Sequence, residues 1–311
     1  MARANAMSRM NRPVLFVFVL CCLIRYEGAA QQMDPVAASQ PVLARDEPAG
    51  PTFFIWPEPA PLAGPIATDR PGFSDSAFLV PRGHGQLELG YIFAHDVENG
   101  TNTKTHVAPG TSLRVGLLDD LELRLKWSGM SLVDTRYPFV TPGGRHITAH
   151  DHIDGGTDMS VGLKLPILKH TDENHLPNLS IIPALSLPVG AETKTSGDAD
   201  PSFEAAWNYP ITDRFTIYGI GSIASASDME GRFAQAAGSF AASITLTDQL
   251  SIFVEYFGIY PSTRESDCQH NIDLGPVILI SDNIQLDVAV GMGLNEEAPD
   301  FFTNIGISIR F

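Results

Sequence analysis

The sequence has 311 residues, of which 44% are hydrophobic and 18% are charged, with 27 Gly and 23 Pro. This hydrophobic fraction excludes an intrinsically disordered chain, and the Gly and Pro content disfavours a helical bundle. The formal net charge of −16 argues against nucleic acid as a partner, because nucleic-acid-binding proteins carry a basic face. Composition thus leaves two classes of protein, a soluble β protein and an outer-membrane β-barrel.

The first thirty residues have the pattern of a secretory signal peptide. Basic residues precede an apolar run at 14–24, and small residues at 28–30 supply a cleavage site before Gln31. A retained membrane anchor would need a longer apolar run, of about 20 residues. Cleavage would leave Cys268 as the only cysteine, and one thiol cannot form an internal disulfide.

Residues 31–65 hold eight prolines and show no periodicity. This composition is typical of an extended linker, and we interpret the segment as a periplasmic tail.

The next segment, residues 66–84, precedes the first predicted strand and contains the sequence Thr68-Asp69-Arg70-Pro71. Asp69 and Arg70 either form a local ion pair that fixes the segment or close the lumen of a barrel. Arg70-Pro71-Gly72 is also an ordinary turn sequence, which favours a structural role for these residues.

From Gly85 onward, apolar and polar residues alternate with a period of two, which is typical of strands with one apolar and one polar face. The clearest case is 121–128, where Leu121, Leu123, Leu125 and Trp127 alternate with Glu122, Arg124, Lys126 and Ser128. The pattern predicts about twelve strands, at 86–96, 106–118, 120–132, 157–168, 178–190, 201–211, 214–225, 233–247, 250–260, 270–281, 284–294 and 301–311.

Two kinds of connection separate these strands. Four short turns share an Asp at their second position, at 118–121, 212–215, 247–250 and 281–284, and they suit tight hairpins. Long polar loops are predicted on the other side, at 134–156 and 261–270. Short turns on one side and long loops on the other are the arrangement of outer-membrane barrels, with both termini on the short-turn side.

Strand length separates the two remaining classes. Ordinary strands have five or six residues, whereas those predicted here have about eleven, which suits a tilted crossing of a bilayer. Pro183, inside a predicted strand, opposes this interpretation because proline removes a ladder hydrogen bond. On the basis of strand length we predict an all-β fold, an antiparallel up-and-down transmembrane β-barrel over 85–311. The barrel must be closed, because hydrocarbon cannot satisfy the hydrogen bonds of an open sheet edge.

The polar faces of the predicted strands carry charges of both signs. In a barrel they would line a hydrated lumen and could pair with one another, whereas in a soluble sandwich they would face solvent. The candidate lumen-lining residues are Glu88, Arg114, Glu122, Arg124, Lys126, Lys164, Glu204, Glu255, Asp273, Asp287 and Arg310.

The stretch at 66–76, followed by Val80-Pro81 and by 85–91, resembles the opening of a bacterial outer-membrane family named for a meta-pathway of phenol degradation. The resemblance covers residues 66–311 and implies an antiparallel outer-membrane barrel with a TDRP-type segment before its first strand. The terminal Phe311 resembles the signal by which barrel proteins are recognised for assembly.

A cluster of histidines and acids is the densest group of potential metal ligands in the sequence. His146, His150 and His152 lie with Asp151 and Asp154 in the predicted loop at 134–156. Imidazole and carboxylate groups bind metals, but the spacing matches no metal motif, so we predict a solvated extracellular loop, no metal and no other cofactor. A membrane-embedded hydrolase would need a serine beside a base, and the sequence has no Gly-x-Ser-x-Gly motif, so no enzyme is predicted.

These observations predict a barrel of the bacterial outer membrane that allows passage or uptake of small solutes. Hydrophobic organic compounds are the solutes that the family name implies. The expected partners are outer-membrane lipid, the barrel-assembly machinery and a small-molecule solute. A non-transporting structural or surface-binding barrel and, behind it, a membrane-embedded hydrolase remain as alternatives.

Overall fold

The computed structural model describes residues 57–228, 231–262 and 267–311. The predicted signal peptide and most of the proline-rich tail, residues 1–56, lie outside the described residues. The described chain forms one 14-stranded sheet. Within it, no helix is long and apolar enough to cross a membrane.

Each strand runs antiparallel to the strands with which it pairs. The strands are β1 (Gly85–Glu98), β2 (Thr101–Leu118), β3 (Leu121–Trp127), β4 (Met130–Val140), β5 (His146–Gly156), β6 (Met159–Leu168), β7 (Asn178–Leu187), β8 (Asp200–Pro210), β9 (Phe215–Asp228), β10 (Gly231–Thr247), β11 (Leu250–Pro261), β12 (Gln269–Ser281), β13 (Ile284–Gly293) and β14 (Phe301–Arg310).

Twelve of these strands close into a barrel. The ring runs β1-β2-β3-β6 and then in chain order to β14, which pairs with β1 again. At the junction, Leu87 of β1 lies opposite Ile309 of β14 on one side and Leu113 of β2 on the other. Closure leaves the ring without an open edge, as hydrocarbon surroundings require. The predicted antiparallel twelve-stranded barrel is confirmed.

The two remaining strands, β4 and β5, form a hairpin that continues β3 and β6 beyond the ring. β4 pairs with the outer part of β2, where Ala108 lies opposite Met130. Gly129, between β3 and β4, has a φ of 99°, a conformation that glycine adopts without strain. The prediction of a long connection at 134–156 is confirmed, since this stretch lies between the ring strands β3 and β6, but most of it is strand and not loop. Both faces of this hairpin are largely exposed, so its sequence lacks the alternation that marks a strand with one buried face.

The barrel has an apolar outer face and a predominantly polar inner face. Side chains on the outer face are exposed although they are apolar, as expected for a surface that contacts lipid. Examples on the outer face are Tyr91, Leu125, Leu163, Phe203, Val254, Leu274, Val290 and Ile305.

Both ends of the barrel sequence lie at one end of the barrel, which we call the proximal end. There the Gly85 and Phe311 backbones exchange two hydrogen bonds of 2.8 Å. The turns at 119–120, 248–249 and 282–283 are also proximal and have two residues each. The predicted division into short proximal and long distal connections holds only in part, because the proximal connection 169–177 is long and the distal turn 99–100 is short.

We predict that Leu125→Arg impairs folding. Leu125 lies on the outer face of β3 and is 38% exposed. An arginine on a lipid-facing strand near the bilayer centre costs about 2–4 kcal/mol. Urea titration in lipid vesicles, read by heat-modifiable electrophoretic mobility, would measure the loss of stability.

Leu176→Arg is the matched control, because Leu176 is 45% exposed in the connection 169–177, outside the strands. It should leave the unfolding midpoint unchanged. Equal effects of the two substitutions would contradict the interpretation of the outer face as a lipid contact.

Candidate functional site in the barrel lumen

The lumen is occupied by residues 66–80, which we call the luminal segment. Each residue from Ile66 to Ala77 is buried, although none belongs to a strand of the barrel. The segment begins at the proximal end, where the Ile66 amide donates to the Asp282 carbonyl at 2.7 Å. The chain then returns to the same end to start β1 at Gly85.

Asp69 is the most heavily paired residue of the luminal segment. Its carboxylate forms ion pairs with Arg114 and Lys164, each at 3.1 Å, and with Arg124. Its backbone amide donates to both carboxylate oxygens of Glu88, at 3.1 and 3.2 Å. A buried charge is stable only when paired and hydrogen-bonded, and here three strands, β2, β3 and β6, supply the cations.

Arg70 pairs with a different part of the barrel wall, on β13 and β14. Its guanidinium donates to Asp287 on β13 at 3.1 Å and to the Asn304 side chain on β14 at 2.6 Å. It rests on Gly90 and Gly306, which lie opposite each other in the β1–β14 register. A Cβ atom at either glycine would come within 2.1–2.2 Å of the Arg70 side chain, so a side chain at either position would displace the guanidinium from its present place.

Glu255 on β11 binds the middle of the luminal segment. Its carboxylate accepts hydrogen bonds from the backbone amides of Phe73 and Ser74, the latter at 3.0 Å, and from the Ser74 hydroxyl. The Phe73 ring stacks on Phe257 of the same strand, with centroids 4.5 Å apart and planes 2° from parallel. Hydrogen bonds to Glu255 and ring stacking on Phe257 therefore hold two consecutive residues of the segment, Phe73 and Ser74.

Asp75 contacts the same wall as Asp69. Its carboxylate pairs with Arg124 at 2.6 Å and with Lys126 at 3.1 Å. Burial raises the pKa of the Asp75 carboxyl, but Arg124 and Lys126 outweigh burial and hold the pKa well below its usual value. The carboxyl is therefore ionised in the folded protein.

Further polar contacts involve mainly the backbone of the luminal segment. Glu122 accepts from the Val80 amide at 2.7 Å, and Arg114 donates to the Phe78 carbonyl at 2.8 Å. Asn304 donates to the Pro71 carbonyl at 2.9 Å, and Gln285 donates to the side-chain hydroxyl of Thr68 at 2.8 Å. The wall thus satisfies backbone groups that no strand partner satisfies.

The structure places the predicted lumen residues on the inner face, and most contact the luminal segment. Arg310 instead donates to the Gly64 carbonyl at 2.8 Å, just before the segment. Lys126 and Glu204 are half-buried. The other predicted residues are at most 6% exposed: Glu88, Arg114, Glu122, Arg124, Lys164, Glu255, Asp273, Asp287 and Arg310. Their role in lining a solute path stays a prediction.

The histidine cluster lies outside the lumen, on β5. His150 is 2.8 Å from the Asp134 carboxylate on β4, and both side chains are partly or largely exposed. Among the described residues, no group of three His, Cys, Asp or Glu side chains is arranged to hold a metal ion. Phe311, the predicted assembly signal, is 65% exposed at the proximal end.

Sequence reasoning missed several residues that bind the luminal segment. Ser74 and Phe73 carry no motif, and their role appears only once Glu255 and Phe257 are placed beside them. Neutral residues of the inner face were also missed, although they fall on the polar side of the alternation and could have been found there: Gln86, Gln285 and Asn304.

The fold and the site define a class of protein: a closed twelve-stranded β-barrel whose lumen holds a segment from before its first strand. The chain belongs to the family described as "Putative MetA-pathway of phenol degradation", whose model matches residues 68–311. The resemblance found in the sequence is thereby confirmed. The match begins at Thr68 and so includes most of the luminal segment.

Comparison with solved structures finds similarity to two porins and to the transport unit of an autotransporter. The transport unit of the autotransporter AIDA-I from Escherichia coli is 12% identical, with a TM-score of 0.46, over 73% of this chain and 90% of that chain. The NanC porin is 9% identical, with a TM-score of 0.43, over 72% and 98%. The KdgM porin in complex with disordered oligogalacturonate is 12% identical, with a TM-score of 0.40, over 73% and 99%. Comparison with curated proteins finds no significant match.

We predict that Asp69→Asn loosens the luminal segment without opening the sheet. The substitution leaves three buried cations short of one counter-charge, and breaking a buried ion pair typically costs about 3–5 kcal/mol. A cysteine at buried Ala77, in a Cys268→Ser background, would report the change as faster maleimide labelling.

Asp119→Asn is the control, because Asp119 pairs with Arg82 at the exposed proximal surface. It should leave the labelling rate at Ala77→Cys unchanged. If Asp69→Asn also left that rate unchanged, the Asp69 ion pairs would not be what holds the segment.

Proposed function

We propose that the protein lies in the bacterial outer membrane and allows small solutes to pass when the luminal segment moves aside. The family and the closed barrel with an apolar outer face support this location. The proposal involves passage and no enzymatic reaction.

One observation carries the proposal: the luminal segment fills the lumen but is bound mainly through side chains of the wall. Ion pairs and side-chain hydrogen bonds hold Asp69, Arg70, Ser74 and Asp75, whereas the strands pair with one another. The segment can therefore leave its place without breaking the hydrogen-bond ladder of the barrel. Its departure exposes charges that water can hydrate.

The charges exposed in this way would be arranged asymmetrically. Arg114, Arg124 and Lys164 lie on the adjacent strands β2, β3 and β6 together with Glu122, whereas β11, β12 and β13 carry Glu255, Asp273 and Asp287 and no lysine or arginine. A lumen with an excess of cations on one side and of carboxylates on the other creates a transverse field for polar groups of a passing solute.

The alternative function is a non-transporting structural or surface-binding barrel. The observation that favours it is the burial of the ion pairs in the lumen, since Asp69 and the three cations around it are at most 2% exposed. A luminal segment that never moves would make the barrel a scaffold for its distal hairpin, β4–β5.

We predict that a disulfide between the luminal segment and the wall blocks passage. The hydroxyl oxygens of Ser74 and Ser239 are 2.5 Å apart, so cysteines at both positions are close enough for a disulfide. In a Cys268→Ser background, oxidised Ser74→Cys/Ser239→Cys protein should admit arabinose into proteoliposomes no faster than protein-free liposomes. Reduction should restore the faster rate.

The two single-cysteine variants are the controls, and oxidant should not slow them. A variant that lacks residues 66–77 should admit arabinose under both conditions. Equal uptake by the oxidised and reduced double variant would show that the segment is not the gate. No uptake even without residues 66–77 would favour the non-transporting barrel.

A further inference from the structure

The distal hairpin β4–β5 extends one face of β2 beyond the ring. The β2–β4 and β4–β5 registers align two rows of polar side chains across these three strands: Lys104, Asp134 and His152 in one row, and Asn102, Arg136 and His150 in the next. Side chains directly opposite in an antiparallel pair project from the same face. We call these six residues the distal outer face.

The distal outer face is turned away from the lumen. It lies on the side of β2 that also carries His106, two residues from Lys104. The Nδ1 atom of His106 is 2.8 Å from the hydroxyl of Tyr91, which is 37% exposed on the outer face of the barrel. The other side of β4 carries Val133, which is buried in a cluster with Val107 of the inner wall.

The distal outer face begins where the apolar outer face of the barrel ends. The row next to it on the proximal side contains Phe93, His106 and Leu132, which is 40% exposed. Two residues further along the strands, the outward positions carry Lys104 and Asp134 instead. Aromatic residues mark the ends of the apolar band of outer-membrane barrels, so the distal outer face lies at the level of the lipid headgroups.

Asp134 is the carboxylate in the middle of this face, and two neighbours pair with it. The His150 imidazole lies 2.8 Å from the Asp134 carboxylate, and the Arg136 guanidinium lies 3.7 Å from it. The hydrogen bond with His150 lowers the pKa of the Asp134 carboxyl, so this group stays ionised. Lys104 and His152 are exposed, and the Arg136 side chain is 63% exposed, so all three can reach a ligand that lies on the sheet.

This arrangement suits a phosphate group. Lys104 and Arg136 are diagonal neighbours, with backbones about 7–8 Å apart, so their long side chains can contact one phosphate. Ammonium and guanidinium groups form charge-assisted hydrogen bonds with phosphate oxygens, and an imidazole N–H also donates. A second carboxylate on this side of the hairpin, Asp154, lies opposite Leu132 and two strands from Lys104. The cations are therefore the nearest charges to a phosphate bound between them.

We propose that the distal outer face binds a phosphorylated lipid of the outer leaflet. Lys104 and Arg136 bind a phosphate of the headgroup, His152 donates a further hydrogen bond, and the acyl chains pack against Tyr91 and Leu132. The exposed apolar residues beside the cations favour a lipid over a soluble anion. This inference rests on the outer-membrane location in the proposed function, which places the distal end in the outer leaflet because both ends of the barrel sequence are periplasmic.

The net charge of the protein gives such a site a purpose. The chain has a formal charge of −16, so a leaflet of anionic lipids repels most of its surface. Basic side chains at the level of the headgroups attract these lipids and oppose the repulsion locally.

Native mass spectrometry of the purified protein in detergent tests the site with three probes: diphosphoryl lipid A, dioleoylphosphatidylcholine and inorganic phosphate. We expect lipid A to bind at least about 10-fold more tightly than phosphatidylcholine, and equimolar inorganic phosphate should not displace it. Lys104→Gln/Arg136→Gln should weaken lipid A binding about 25-fold, because each cation near a headgroup contributes about 5-fold. Phosphatidylcholine binding should change little.

Asp134→Asn tests the opposite direction, because it removes a carboxylate from the face and leaves both cations in place. It should tighten lipid A binding. Lys169→Gln/Arg214→Gln is the matched control, because it also removes an exposed lysine and an exposed arginine, but at the proximal end. It should leave lipid A binding unchanged.

Heat-modifiable mobility shows whether each variant is folded. If Lys104→Gln/Arg136→Gln fails to fold, Arg136→Gln alone should still weaken lipid A binding about 5-fold. Three results would overturn the site: equal binding of lipid A and phosphatidylcholine, equal lipid A affinity of the two double variants, or displacement of lipid A by equimolar inorganic phosphate, which would indicate a soluble anion as the ligand.

Lipid binding in detergent is measured independently of solute passage. A protein that admits arabinose but does not bind lipid A would reject this inference alone. A protein that binds lipid A through Lys104 and Arg136 but admits no arabinose would reject passage alone.

Discussion

The buried carboxylate of Asp69 is the interaction on which the interior of this barrel depends. Arg114, Arg124 and Lys164 lie on neighbouring strands, where like charges destabilise one another. The luminal segment places an anion among them, and the wall in turn supplies the cations without which that anion could not be buried. The luminal segment and the wall are thus complementary in charge, and each allows the charges of the other to be buried away from water.

The fold was predictable where the environment differs between the two faces of a strand. In β3 and β14 one face is apolar and the other packs against the luminal segment, so a period of two appears in the sequence. The hairpin β4–β5 was not predictable in this way, because neither of its faces is consistently buried and no alternation results. Apolar and polar residues alternate only where the two faces of a strand have different surroundings. A strand that is exposed on both faces shows no such alternation.

The candidate site was predictable only in its parts. The charged inner residues could be read from the alternation, but their partners are distant in sequence, as Arg70 and Asp287 show. Asp69 and Arg70 suggested a local ion pair because they are adjacent. In the structure the two side chains reach different parts of the wall: Asp69 binds Arg124 on β3, and Arg70 binds Asp287 on β13. The two residues are therefore adjacent in sequence, but they pair with different strands and not with each other.

The two anchors of the luminal segment also differ in whether they cross the junction of the barrel. The cations around Asp69 belong to β2, β3 and β6, early in the sequence, whereas Asp287 and Asn304 belong to β13 and β14, at its end. Arg70 binds this end of the chain while it rests on Gly90 of β1 and Gly306 of β14, so its contacts exist only in the closed barrel. Arg70 thereby joins the first and the last strand of the barrel from the inside.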